Sequence, residues 1–122
     1  MISWMALIFW LSGQPRIPHL GQEVGLSDDL VAYAAHALMF GVLALLVWRA
    51  LRDPSHTALG PTLHWLSVST VLLCALYAAT DEVHQLSTPG RTASVSDWVA
   101  DLFGILISVA LLSWWAKRRV PE

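Results

Sequence analysis

The sequence predicts an all-α, polytopic membrane protein, a four-helix transmembrane bundle with a short first helix and both termini in the cytoplasm. Three observations carry that expectation. Of 122 residues, 56% are hydrophobic and 13% charged, roughly half the charged share of an ordinary soluble domain, and the mean hydropathy is +0.56. The apolar residues are gathered into runs of bilayer-spanning length, and lysine and arginine fall unevenly between the segments joining those runs. The length suits one domain, 1–122. A net charge of −2 with a pI near 6.2 gives no electrostatic footprint for nucleic acid. One cysteine, Cys74, excludes an internal disulfide and a multi-cysteine metal site, and reads as a small residue packed in a helix.

Helices are expected at about 1–12, 30–51, 62–84 and 97–116. The first, MISWMALIFWL, is apolar, but at about 1.5 Å per residue it reaches only about 17 Å. It reads as a first, shortened span; a half-helix, an uncleaved anchor or the end of a span with a late start are the alternatives. No basic segment precedes it and no small-x-small site follows it, which argues against a cleaved signal peptide. Leu30 to Leu51 is apolar until Arg49, and Leu63 to Thr80 is apolar apart from small hydroxyls and a leading His64. Trp98 to Ala116 carries one acid, Asp101, near its start. Each of these three meets the lower limit of about 17 residues for crossing the hydrocarbon core.

Orientation follows from the basic residues. Arg49, Arg52, Lys117, Arg118 and Arg119 fall on one side and Arg16 and Arg91 on the other, which makes the first side cytoplasmic by the positive-inside rule. Trp10, Trp48, Trp65, Trp98, Trp114 and Trp115 lie near expected helix ends, where the amphipathic indole prefers the headgroup layer. The loop LRDPSHTALGP and the tail KRRVPE are then inside. Seven of the nine acids fall at the outer end, leaving Asp53 and Glu122 inside.

The stretch DEVHQLSTPGR, Asp81 to Arg91, concentrates charge in an otherwise apolar chain. Ser67, Thr70, Cys74, Tyr77, Asp81 and His84 or Gln85 recur at intervals of three and four, one stripe along a helix, and a polar stripe faces protein rather than lipid. Asp97, Asp101, Gly104 and Ser108 repeat the pattern on the last helix, with small residues where two backbones can approach. The two helices are expected to pack stripe to stripe. Pro89 and Gly90 suit a tight turn between them, Ser94 or Ser96 a cap for the last helix, and Arg91 a position near several carboxylates. His36 lies about one and a half turns inside the outer end of the second span, with Tyr33 and Phe40 on nearly the same face.

Ionisable groups at membrane depth are costly and are by default a site with named partners. His36, Asp81, Glu82, Gln85, Arg91, Asp97 and Asp101 are therefore the candidate binding residues of a polar cavity open to the outside. The bland alternative is a structural network in which Arg91 and the acids staple the helices together.

At this point the residues resemble a family. The run YAATDEVHQLSTPGRTASVSDWVADLFG, Tyr77 to Gly104, is similar to the signature of the VanZ-like small membrane proteins. That signature has an aromatic, then DE, a Gln three residues on, PGR, an acid near the helix start, an Asn or Asp four on, and a Gly. Tyr77, Asp81, Glu82, Gln85, Pro89, Gly90, Arg91, Asp97, Asp101 and Gly104 take those places. His36 and Phe40 resemble the second-helix motif, and Ser12, Gln14 and Pro15 resemble a Ser-x-Gln-Pro after the first span. One departure stands out: where the family pattern has Asp-Lys before the histidine, this chain has Ala32 and Tyr33. Asp28 or Asp29 supplies an acid one turn earlier, and nothing replaces the lysine.

The resemblance implies a membrane protein linked to low-level glycopeptide (teicoplanin) resistance, without a settled activity. Two classes of function stay open. In the first, the cavity binds or modulates an envelope-derived ligand: a lipid headgroup, a lipid-linked cell-wall precursor or an antibiotic, with Arg91 as the anion contact. In the second, it is a membrane-embedded enzyme acting on a lipid-linked substrate. Glu82 would be general base, and His84 and His36 acid, base or metal ligands with Asp81, Asp97 and Asp101. Carboxylates with histidines suit a divalent cation as cofactor, although no familiar metal or nucleophile spacing is present. Four short helices enclose little space, which suits a homodimer.

Overall fold

The computed structural model describes residues 1–15, 20–23, 25–52, 61–91 and 93–118. Arg16, Asp53, Arg119, Glu122 and most of the expected inner loop lie outside them. Among the described residues the chain is helical, without strands.

The first helix, α1 (Ile2–Ser12), ends as the amides of Gly13 and Gln14 turn back onto the carbonyls of Phe9 and Leu11. A short helix, α2 (Leu20–Glu23), was not legible in the sequence. It is held to the next helix by Gly21, whose amide donates to Asp28 Oδ1 at 2.7 Å. A Cβ on Gly21 would lie 2.6 Å from the Asp28 nitrogen, so only glycine permits the approach.

Three long helices follow. α3 (Asp28–Leu51) begins at Ser27, whose hydroxyl accepts from the Leu30 amide at 3.2 Å. Asp28 and Asp29 in its first turn and Arg49 in its last complement the helix dipole. α4 (Pro61–Gln85) starts on a proline, whose missing N–H is harmless at a first helical position. α5 (Val95–Arg118) follows Ser94, whose hydroxyl accepts from the Asp97 amide. The turn joining α4 to α5 closes with the Arg91 amide on the Thr88 carbonyl at 3.1 Å. Pro89 and Gly90 occupy its centre, and Gly90 has φ +79°, the left-handed value that a type II turn requires at that place.

α3, α4 and α5, with 24, 25 and 24 residues, are long and apolar enough to cross a membrane, at about 36 Å each. α1 is apolar and shorter. Side chains on the outer faces fit a lipid surround: Leu38, Leu72, Leu76, Phe103, Leu106 and Leu111 are each more than half exposed. The inner faces meet at Phe40, Leu43 and Trp48 of α3, Ala78 of α4, Ile105 of α5 and Ile8 of α1. α1 is tied on by the Tyr77 hydroxyl, which donates to the Met5 carbonyl at 2.7 Å, and by the Trp4 indole, which donates to the Met39 carbonyl at 3.0 Å.

One expectation needs correction. Gly104 and Ser108 do not serve a seam between α4 and α5; they lie against α3, in the most extensive helix contact of the molecule. A Cβ on Gly104 would collide with the Ala37 carbonyl oxygen, and one on Gly41 would lie 3.0 Å from Ser108 Oγ. The reason is that Gly41 of α3 offers a second gap in register with Gly104, so these two backbones can approach as close as small residues allow.

Candidate functional site

Each half of the α3–α5 seam has its own chemistry. One helical turn from Gly41 and Gly104, toward the N-terminal ends of both helices, stand His36 and Asp101. His36 Nδ1 and Asp101 Oδ1 are 2.9 Å apart, and both side chains are buried. Taken as the donor, Nδ1–H fixes the ring and leaves Nε2 toward the second acid of the α5 stripe, Asp97, whose Oδ2 is 3.9 Å away. His36 is thus clasped by two carboxylates four residues apart on one helix face.

α4 brings the remaining acids to the same end. Glu82 Oε2 accepts from the Ser94 amide at 2.8 Å, placing a carboxylate at the start of α5 where the helix dipole favours negative charge. Gln85 Nε2 donates to Asp81 Oδ2 at 3.1 Å. Of the stripe expected from spacing, Thr70, Cys74, Asp81 and Gln85 are buried, and Ser67 and Tyr77 are half-buried. Burial extends to Glu82, which the spacing left just off the stripe.

Among the described residues, three carboxylates each have one oxygen with a protein partner and one without. Asp81 Oδ1, Glu82 Oε1 and Asp101 Oδ2 are buried without a hydrogen-bond partner among the described residues. Their side chains belong to residues that are 3%, 8% and 0% exposed. A buried polar atom left unpaired is costly, more so when charged, so three in one cluster demand a role. His36, Glu82 and Asp101 each offer a metal-ligating atom, and these atoms lie within 4.8 Å of one another.

Arg91 takes a different place from the centre of that cluster. Its Nη1 donates to the Ser12 carbonyl at 2.8 Å, bridging the α4–α5 turn to the end of α1. It borders two openings. One is a polar cavity of about 140 Å³ whose walls include Asp29, Tyr33, Gln85, Arg91, Ser94 and Asp97. The other is a groove of about 310 Å³ with Gln14, Asp28, His36 and Arg91 among apolar walls that include Leu11 and Met39. Arg91 and Asp97 therefore share a cavity, as do Arg91 and His36.

His84 is placed apart from this arrangement. Its ring stacks on Phe9 of α1 at 3.8 Å between centroids and lies outside the His36, Glu82 and Asp101 group. Spacing put His84 and Gln85 on the stripe as alternatives; the structure buries Gln85 and leaves His84 half-buried against α1. Two contacts of the candidate site were not visible in the sequence, the Ser12 carbonyl that accepts from Arg91 and the Ser94 amide that donates to Glu82. Both are backbone groups, for which the only sequence signals were the Ser-x-Gln-Pro segment and the cap at Ser94.

The departures at Ala32 and Tyr33 fall in these openings. Ala32 lines the groove and Tyr33 the polar cavity, so where the pattern would place Asp and Lys the walls carry a methyl group and a phenol. No curated protein and no solved structure gives a significant match to the chain. The family comparison does: the family described as VanZ/LLP1 matches residues 1–116. With long apolar helices, α4 and α5 joined through the Thr88–Arg91 turn, and a buried histidine facing acids of the last helix, this chain belongs to the VanZ/LLP1 family of membrane proteins.

Proposed function

We propose that the protein is a four-helix cell-membrane protein with both termini cytoplasmic, whose polar end opens outward and binds or modulates a cell-envelope ligand. The orientation is supported by charge: the last turns of α3 and α5 hold Arg49, Lys117 and Arg118, at the end away from Asp81, Glu82, Asp97 and Asp101. Opposite ends of different sign suit a positive cytoplasmic side.

The observation that carries the binding reading is the groove beside Arg91. It combines a guanidinium, an imidazole, an amide and the Asp28 carboxylate with the apolar walls of α1 and α3. That is the composition a headgroup with an attached chain requires: Arg91 contacts an anionic oxygen while methylene groups lie along Leu11, Val31 and Met39. Lipid-linked envelope precursors and anionic lipids have this form, and a glycopeptide presents a carboxylate of the same kind.

The unpaired oxygens of Glu82 and Asp101 favour a second reading, an enzyme acting on a lipid-linked substrate with Glu82 as general base. A pure scaffold is the third. Binding of a polyprenyl diphosphate, phosphatidylglycerol or teicoplanin to the protein in nanodiscs, followed by native mass spectrometry, separates them. Arg91→Ala is expected to lower retention of at least one probe roughly tenfold with the fold intact. Turnover of the diphosphate that Glu82→Gln abolishes would establish the enzyme. Binding of none of the three, with Arg91→Ala losing thermal stability alone, would leave the scaffold. Labelling of Ser87→Cys only from the cytoplasmic side would overturn the orientation.

A further inference from the structure

We infer that His36, Glu82 and Asp101 form a binding site for one divalent transition-metal cation, zinc or manganese in its chemistry, at the buried polar end of the bundle. The inference goes beyond ligand binding in the groove and stands whichever reading of that groove holds. Each residue comes from a different long helix, His36 from α3, Glu82 from α4 and Asp101 from α5, so the site exists only in the folded bundle.

Geometry provides the first argument. The three ligand atoms lie within 4.8 Å of one another. Donors about 2.1 Å from a common ion stand about 3 to 4 Å apart, so closing on an ion takes side-chain movements of about 1 Å or less.

The orphaned oxygens provide the second and are independent of that proximity. Asp101 Oδ1 and Glu82 Oε2 are engaged with His36 and the Ser94 amide, while Asp101 Oδ2 and Glu82 Oε1 have no partner among the described residues. Each acid is held in place by one oxygen and presents the other. The ion takes the Nδ1 side of His36, where Asp101 already stands at 2.9 Å, and leaves Nε2–H facing Asp97 Oδ2 at 3.9 Å. Carboxylates orient metal-bound histidines in this way.

Charge supplies the third argument. Glu82 and Asp101 are joined at this end by Asp81 and Asp97, all four buried. Among the described residues, the basic groups facing them include His36 and, across the polar cavity that Asp97 lines, Arg91, whose Nη1 is on the Ser12 carbonyl. A divalent ion offsets the excess of carboxylates at low dielectric, where it is most costly. One imidazole nitrogen with two carboxylate oxygens suits zinc or manganese better than calcium or magnesium, which prefer oxygen alone. Three protein donors also leave a coordination position for water or a ligand oxygen.

The test uses tag-free full-length protein in nanodiscs of zwitterionic lipid, stripped with chelator and then offered zinc or manganese. Elemental analysis is expected to find about one ion per chain and a raised melting temperature, because an ion that binds the folded state alone stabilises it. Glu82→Gln and Asp101→Asn are each expected to weaken affinity roughly tenfold or more. His64→Gln, an exposed histidine at the other end of α4, is expected to leave it unchanged. No ion above an empty-nanodisc blank, or equal retention by Glu82→Gln, would overturn the site. Cobalt binding to the unmutated protein guards against variants that fail to fold. Intense visible bands of low-coordinate cobalt, displaced by zinc, support the site; the weak spectrum of hydrated cobalt contradicts it.

Discussion

The α3–α5 seam divides into two halves that use opposite physics. Around Gly41, Gly104, Ala37 and Ser108 the backbones touch through small residues, with no room for a Cβ at Gly104. One turn away the same helices face each other through His36, Asp97 and Asp101, with a 2.9 Å contact and an unpaired carboxylate oxygen. The first half sets the spacing on which the second depends. In a membrane, where apolar burial drives little helix association, close packing of small residues is what brings the helices together. The polar half would by itself favour separation and solvation, and it is held buried by its neighbour.

The largest effect is expected from pushing the dry half apart. Gly104→Val places two methyl groups against the Ala37 carbonyl and is expected to cost about 3 kcal/mol or more, read as a lost or broadened unfolding transition by circular dichroism in detergent. An unchanged transition would mean that the seam does not set the spacing. The next effect belongs to the polar half. His36→Leu leaves Asp101 and Asp97 without the imidazole between them and is expected to cost about 3 kcal/mol, measured by the same melt. The smallest is Ser94→Ala, which removes the hydroxyl cap on α5 but keeps the backbone amide that binds Glu82. It is expected to cost about 0.5–1 kcal/mol and to leave metal affinity unchanged. A tenfold loss of affinity would show that Glu82 is positioned by the cap and not by the amide.

Much of this was legible in the sequence because it depends on periodicity. The spacing of Thr70, Cys74, Asp81 and Gln85 identified a buried face. Pro89-Gly90 identified the turn, and the apolar runs identified the long helices. His36 and Asp101 were marked as candidates by the cost of ionisable groups at membrane depth, although they are 65 residues apart. What was not legible depends on which helix faces which. Gly104 and Ser108 could have served α4 or α3, since small residues mark a close approach without naming the partner. The choice lay with Gly41, which looked unremarkable within an apolar run. α2 escaped notice because four residues give no period to read. Arg91 was expected among carboxylates, and its hydrogen bond to the Ser12 carbonyl carries no sequence signature, since every residue has such an oxygen.

The central claim is that the polar half is a site and not a staple, and paired apolar replacement tests it most directly. Replacing both members of a buried ionic pair by apolar residues is often neutral or stabilising, so His36→Leu/Asp101→Leu separates stability from function. Melting and polyprenyl diphosphate binding would be measured together in nanodiscs. The account predicts a folded double variant, more stable than His36→Leu alone, with probe binding reduced roughly tenfold or more. A double variant less stable than the single one, yet binding the probe like the unmutated protein, would contradict it.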